Sequence, residues 1–208
     1  METNTSFEFT KNIILEDERT VLRPLEITDF DYLINFSLAE PDLWRYSLVQ
    51  ASGAQGLKNY LKDAVEAREA KREYPFIVFD KRKNCYAGST RFYDIQLFNR
   101  CSQIGYTWYG GQFQGTGLNK HCKFLLLDYA FGKMGMERVE FRADSENERS
   151  IAAMISIGCK VEGILRSTAT RPDGNRRDSI VLSILKNEWE NSVKENLRKK
   201  ILKYIDYK

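Results

Sequence analysis

The chain has 208 residues, 42% of them hydrophobic and 29% charged, with 32 Lys/Arg against 29 Asp/Glu for a net charge of +3. That balance suits an ordinary globular domain and is too weakly basic to argue for nucleic acid. No run approaches the ~18 apolar residues of a membrane span, and residues 1–12 are polar with no apolar signal core. A soluble, cytoplasmic protein with no membrane partner is expected.

Residues 20–26 alternate and read as a first strand, with a short pairing segment before them at 13–15. Thr28 or Asp29 caps a helix that runs to about residue 37 and carries Phe30, Leu33, Ile34 and Phe36. A second helix fits 56–72, where Leu57, Leu61, Ala64 and Val65 share a face. Residues 74–80 form a strand around Phe76, Ile77, Val78 and Phe79, and the polar turn 81–84 leads to its hairpin partner at 86–97. Another strand covers 103–109. The clearest helix is 118–134, with Leu118, Cys122, Leu125, Tyr129 and Met134 near a 3.6 period, and Gly132 and Gly135 mark its end. A strand at 138–143 turns Val139 and Phe141 to one side, and a short helix at 147–157 is closed by Gly158. Residues 160–171 and 178–185 form a hairpin across Pro172-Asp173-Gly174-Asn175. A last amphipathic helix runs from 187 to about 206, with Leu197, Ile201 and Ile205 spaced by four. There is no low-complexity linker and no internal repeat. The expected fold is one α+β domain over 1–208, with a mixed, mostly antiparallel sheet of about seven strands flanked by helices.

Cys85, Cys101, Cys122 and Cys159 match no zinc or redox spacing and read as reduced, mostly buried residues. His121 is the only histidine, and a surface or packing role suits it better than a chemical one. No metal site is expected.

The most informative segment is Gln112-Phe113-Gln114-Gly115-Thr116-Gly117, which opens the helix at Leu118. A glycine-rich turn at a helix start presents unpaired N–H groups and the positive end of the helix dipole, a setting for phosphate. The segment lacks the Lys-Ser/Thr of a nucleotide P-loop, and Lys120 stands where a dinucleotide fingerprint needs glycine. What is left is Q-x-x-G-x-G, which alone fits an anion loop or a plain β–α turn.

The surrounding motifs carry a resemblance over about residues 18–190. They are Leu22-Arg23-Pro24-Leu25 with Thr28-Asp29, Ile104-Gly105-Tyr106-Thr107-Trp108, the glycine turn, and Arg138-Val139-Glu140-Phe141. Asn147 with Ser150, Gly158, Glu162-Gly163-Ile164-Leu165-Arg166 and Arg177-Asp178 follow in order. Together they resemble the GNAT superfamily of N-acetyltransferases, and within it the RimJ/RimL-type branch of ribosomal-protein N-terminal acetyltransferases. The resemblance implies acetyl-coenzyme A as co-substrate, its pyrophosphate on the N–H groups of Gln112, Phe113, Gln114, Gly115, Thr116, Gly117 and Leu118. It implies pantetheine alongside the backbone of Tyr106, Thr107 and Trp108, which also offers an oxyanion hole. It places Asn147 on the pantetheine arm and Ser150 at the coenzyme sulfur. The same two residues also read as a helix N-cap and its first turn.

Transfer by direct attack needs a proton acceptor. Where many members carry Glu, this chain has Gln103, which is left to position water. Glu26, Asp94 and Glu162 are carboxylates that would act through water, and a water chain without a dedicated base is the other route. By analogy Leu43, Trp44, Tyr46 and Arg91 line the acceptor side, with Trp44 and Tyr46 equally suited to packing. The acceptor is expected to be a protein N-terminal amine or a small-molecule amine. An acetyl-coenzyme A sensor with little turnover is the alternative. Homodimerisation through a sheet edge or the last helix is compatible with either reading. The six Lys/Arg from Lys194 onward read as a solvated face before a ribosomal contact.

Overall fold

The computed structural model describes residues 7–202. Its strands are β1 (Leu15–Glu16), β2 (Thr20–Pro24), β3 (Tyr74–Asp80), β4 (Cys85–Gln96), β5 (Cys101–Tyr109), β6 (Arg138–Asp144), β7 (Lys160–Thr170) and β8 (Arg176–Leu185). Its helices are α1 (Phe30–Ala39), α2 (Gly53–Glu69), α3 (Leu118–Gly132), α4 (Glu148–Ser156), α5 (Lys186–Glu188) and α6 (Lys194–Leu202). The strands are hydrogen-bonded in the order β1-β2-β3-β4-β5-β6-β8-β7, eight rather than about seven. The β5–β6 pairing is parallel, and β1–β2, β2–β3, β3–β4, β6–β8 and β7–β8 are antiparallel. The α+β class expected from the sequence is the one observed. Contacts gather into two compact units: residues 8–93 with 104–118, called the N-terminal unit, and 94–103 with the chain from 119 onward, called the C-terminal unit.

In the N-terminal unit β2 pairs with β3 from Thr20↔Asp80 to Pro24↔Phe76. Tyr74, Phe76, Ile77 and Val78 are all buried, so β3 is covered on both faces, as its continuous apolar run requires. The apolar stripe of α2 buries Leu57, Tyr60, Leu61 and Ala64 in a core with Leu25, Leu33, Trp44, Ile77 and Trp108. Asp29 does not cap α1 through its side chain. Its carboxylate instead accepts from Arg23 (2.5 and 3.0 Å) and from the Glu26 N–H (2.8 Å). A charged pair nearby is the stronger partner for a buried carboxylate.

Gly88 is a point of close approach. It has φ +155°, and a Cβ there would lie 2.0 Å from the carbonyl oxygen of Trp108. Beside it the Gly110 N–H donates to the Ala87 carbonyl (3.0 Å). Gly88→Ala should therefore destabilise the protein by about 3 kcal/mol or more, because backbone must move to admit the methyl. Chemical denaturation measures this, and a loss below about 1 kcal/mol would show that β4 and β5 yield easily.

In the C-terminal unit β6 lies between the Cys101–Gln103 stretch of β5 and the antiparallel β8. β7 is outermost, and its residues are exposed almost throughout, Val161, Ile164 and Leu165 among them. Val139, Phe141, Leu126, Phe131, Leu182, Ile184 and Trp189 are buried. The expected last helix is not continuous. A wider π turn, Trp189–Val193, separates α5 from α6 and accommodates Trp189 as well as Leu197 and Ile201 as buried side chains. The stretch 203–206, with Ile205, lies outside the described residues.

Lys123 on α3 is buried, 5.9 Å from the centre of the Phe141 ring. Burial pushes its amine down to about 8 from an ordinary value of 10.5. Between these values the unfolded chain holds one more proton at this site than the folded chain, so the Lys123 contribution to stability rises with pH from about 8 to 10.5. Lys123→Met should be the more stable form at pH 7 by about 3 kcal/mol, and the gap should close as pH climbs through that window. Denaturation at pH 7 and pH 10 checks the sign, and a gap that stays constant would refute it.

Candidate active site

β5 ends at Tyr109, a short turn follows at Gly111–Phe113, and α3 starts at Leu118. Gly115 and Gly117 take φ +75° and +89°, values that glycine adopts without strain. Side chains fix the turn from within. The Gln114 amide donates to the Tyr109 carbonyl (2.7 Å) and the Thr116 hydroxyl to the Phe113 carbonyl (2.7 Å). Lys83 donates to Gln112 Oε1 (3.1 Å) and sits 5.3 Å above the ring of buried Phe113. The Gly111 N–H donates to Glu40 Oε2 (2.6 Å). Among the described residues the N–H groups of Gly115, Thr116 and Gly117 meet no acceptor. A Cβ on Gly115 would touch nothing within 4 Å. Unpaired donors at the start of a 15-residue helix, with open space in front, fit an anionic group such as pyrophosphate.

The Tyr106–Trp108 stretch of β5 is distorted at Tyr106, a non-glycine residue at φ +49°. Thr107 Oγ1 meets Thr90 Oγ1 at 2.7 Å. Trp108 packs edge-on against Trp44 (5.1 Å between ring centres), Phe36 (6.1 Å) and Tyr60 (6.4 Å). Trp44 is 1% exposed and packs in the core, which favours the packing use of the two expected for it. Its apolar ring is what the packing of Leu33, Leu57 and Trp108 demands. Leu43 is half-buried against the same core, and Tyr46, also half-buried, lies beneath the Arg45 guanidinium at 5.3 Å.

Arg91 on β4 is 3% exposed. Its guanidinium lies 4.0 Å from the Tyr106 ring centre and 4.9 Å from that of Tyr60, and Nη1 donates to Glu73 Oε2 (2.6 Å). Burial by itself would lower the Arg91 pKa, but the neighbouring Tyr60 and Glu73 oxygens outweigh it and hold the pKa above the ordinary range. Burial, then the Glu73 charge, push the Tyr106 phenol up. Tyr60 donates weakly to the Tyr106 carbonyl (3.4 Å) and meets Ser89 Oγ at 3.2 Å. Sequence reasoning named Arg91 but missed Glu73, Tyr60 and the Tyr106 ring, which come from the connection before β3, from α2 and from β5 and carry no local signal. An open cleft of about 620 Å³ borders Gln112, Phe36 and Tyr86, and Arg91 is not among its lining residues.

In the C-terminal unit Gln103 is buried and its amide donates to Asp94 Oδ2 (2.8 Å), while Gln103 Oε1 meets no donor among the described residues. Asp94 also accepts from Gln96 (3.0 Å). Glu162 pairs with Arg138 and accepts from Ser183 Oγ (2.6 Å), and Arg138 holds its carboxyl below the usual carboxylate range. A carboxyl held that low suits Glu162 poorly to take a proton near neutral pH. Glu26, exposed in the N-terminal unit, meets the Thr28 hydroxyl at 3.4 Å. Asn147 is the N-cap of α4, its Oδ1 accepting from the Ser150 N–H (3.0 Å), and Ser150 is half-buried. His121 is buried on α3. Of the last basic residues, Lys194 pairs with Asp128, Lys199 with Glu195 (3.7 Å), and Lys200 donates to the Ser156 carbonyl (2.8 Å). No helix of the described residues is long and apolar enough to cross a membrane.

Comparison with known proteins identifies the family. The acetyltransferase (GNAT) domain family matches residues 19–160. The chain belongs to the GNAT family and is an acyltransferase of the N-acetyltransferase class. It is similar to uncharacterized N-acetyltransferase p20 of Bacillus licheniformis, 27% identical over 84% of this chain and 97% of that protein. A shorter match, 33% identical over 50% of this chain and 55% of the relative, is to YdaF of Bacillus subtilis (strain 168), named provisionally as a ribosomal N-acetyltransferase. The crystal structure of a GCN5-related N-acetyltransferase from Brucella melitensis shares the fold at a TM-score of 0.86, covering 97% of this chain and 90% of that one at 23% identity.

Proposed function

We propose that the chain acts over 1–208 as one cytoplasmic acetyltransferase domain that moves acetyl from acetyl-coenzyme A to a primary amine, on a protein N-terminus or a small molecule. The observation that carries the donor assignment is the run of unpaired N–H groups at Gly115, Thr116 and Gly117 beside the start of α3. In this reading the backbone from Gln112 to Leu118 holds the pyrophosphate, and that of Tyr106, Thr107 and Trp108 holds pantetheine and stabilises the oxyanion. When bound, the coenzyme supplies an activated acetyl group and a thiol leaving group. Asn147 is assigned to the pantetheine arm and Ser150 to the thiol on family resemblance. With Asp94 tied to Gln103 and Glu162 to Arg138, the proposed route for the amine proton is to water. YdaF's name supports an N-terminal amine on a ribosomal protein as one acceptor to try. Membership in a family of acetyltransferases favours turnover over sensing.

Gly115→Asp tests the donor site with little threat to folding, since the position is open and Asp tolerates positive φ. A carboxylate set among the phosphate donors should weaken acetyl-coenzyme A by about tenfold or more in calorimetry, at nearly unchanged Tm. Unchanged affinity would remove the site from this loop.

Asn147→Asp separates capping from coenzyme contact, because aspartate keeps the cap acceptor and loses the amide donor. Stability should hold within about 0.5 kcal/mol while acetyl-coenzyme A affinity falls severalfold. Equal affinity would return Asn147 to capping alone.

A further inference from the structure

Arg91 has donors left over. Nη1 is taken by Glu73 and the Tyr60 oxygen is close by, while among the described residues Nε and Nη2 are buried with no acceptor in hydrogen-bonding geometry. The Tyr106 and Tyr60 rings lie against the guanidinium at 4.0 and 4.9 Å, which leaves its Nε/Nη2 edge to receive a ligand. That edge is a planar fork whose two parallel N–H bonds match the two oxygens of a carboxylate. Two buried guanidinium donors without a protein acceptor are costly to keep unless something fills them. Tyr106, whose ring lies closest to the guanidinium, is 36% exposed and stands on backbone at φ +49°.

We propose that the Nε/Nη2 fork of Arg91, under the Tyr106 ring, binds a carboxylate on the acceptor, so that the preferred substrate is an amine that also carries a carboxylate. The assignment rests on the acetyl-transfer reading. Charge balance supports it. Arg91 and Glu73 already neutralise one another, so an added anion alone would leave a net negative charge in a buried cluster. A zwitterionic acceptor arrives with its own ammonium and keeps the cluster neutral on binding, and that ammonium gives its proton to water before the amine attacks. Two kinds of molecule offer this chemistry, a free amino acid and a peptide with an acidic residue next to its N-terminal amine.

Paired acceptors differing only in carboxylate against carboxamide test the proposal. Free amino acids are set against their amides, and peptides with Asp or Glu in second place against the Asn or Gln forms. With the full chain and acetyl-coenzyme A, kcat/KM for the carboxylate member should exceed that of its amide by about tenfold or more. Selectivity for free amino acids assigns a small acceptor, and selectivity for peptides assigns a chain terminus. Arg91→Lys keeps the charge but loses the fork, so the ratio should fall towards unity while acetyl-coenzyme A affinity holds. Calorimetry of the same pairs on the wild-type chain with coenzyme A gives a readout that needs neither turnover nor the variant. Carboxylate-selective binding without turnover would keep the Arg91 site and overturn the transfer reading. Turnover or binding that is equal within every pair, or binding by neither member, would overturn the Arg91 site.

Discussion

The carbonyl oxygen of Trp108 occupies the space in which any residue but glycine at position 88 would carry its Cβ. Much of the N-terminal unit follows from that contact. It lets β4 and β5 lie backbone against backbone, with the Ala87–Gly110 hydrogen bond on one side and the Thr90–Thr107 hydroxyl pair on the other. Once those are set, Trp108 enters the core against Trp44 and the Tyr106 ring falls over Arg91. The glycine turn then leaves the strand in a fixed direction, because Gly110 is held before the turn begins.

Elements that depend on local chemistry were legible in the sequence. The apolar run of β3 has the expected ends, Tyr74 and Asp80, since both flanks are polar. α3 begins at Leu118, as the glycine pair before it implies, and the hairpin of β7 and β8 turns at its Pro-Asp-Gly-Asn segment. Features that depend on distant partners were not legible. Asp29 looks like a cap until Arg23 is beside it, and Trp44 suits lining and packing equally until Trp108 covers it. Arg91 could be named as a candidate, but its partners Glu73, Tyr60 and Tyr106 meet only through pairing of β3, β4 and β5 and packing of α2. The π turn at Trp189 was invisible to a four-residue period, since that period assumes uniform winding.

One lesson of the candidate site is that a residue's structural use and its chemical use can share atoms. Asn147 Oδ1 is committed to the α4 cap, which leaves its amide N–H groups as the part able to contact a ligand. Gln103 divides in the opposite sense: its amide is committed to Asp94, and its buried carbonyl oxygen is the free end. A glutamate at that position would meet Asp94 as a like charge. The Gln103–Asp94 pair is thus internally consistent without a base, and the carboxylate missing at 103 goes with a carboxylate present at 94.

The tryptophans have a consequence for spectroscopy. Trp44 and Trp108 lie 5.1 Å apart in the N-terminal unit, close enough for their excited states to couple, whereas Trp189 lies against Phe131 and Phe124 in the C-terminal unit. The chain therefore carries an indole pair in one unit and a single indole in the other. Coupling within the pair makes near-ultraviolet dichroism a monitor of the Trp44–Trp108 packing, while emission from Trp189 follows its packing against α3. Each half of the molecule has its own intrinsic optical signal, with no label attached.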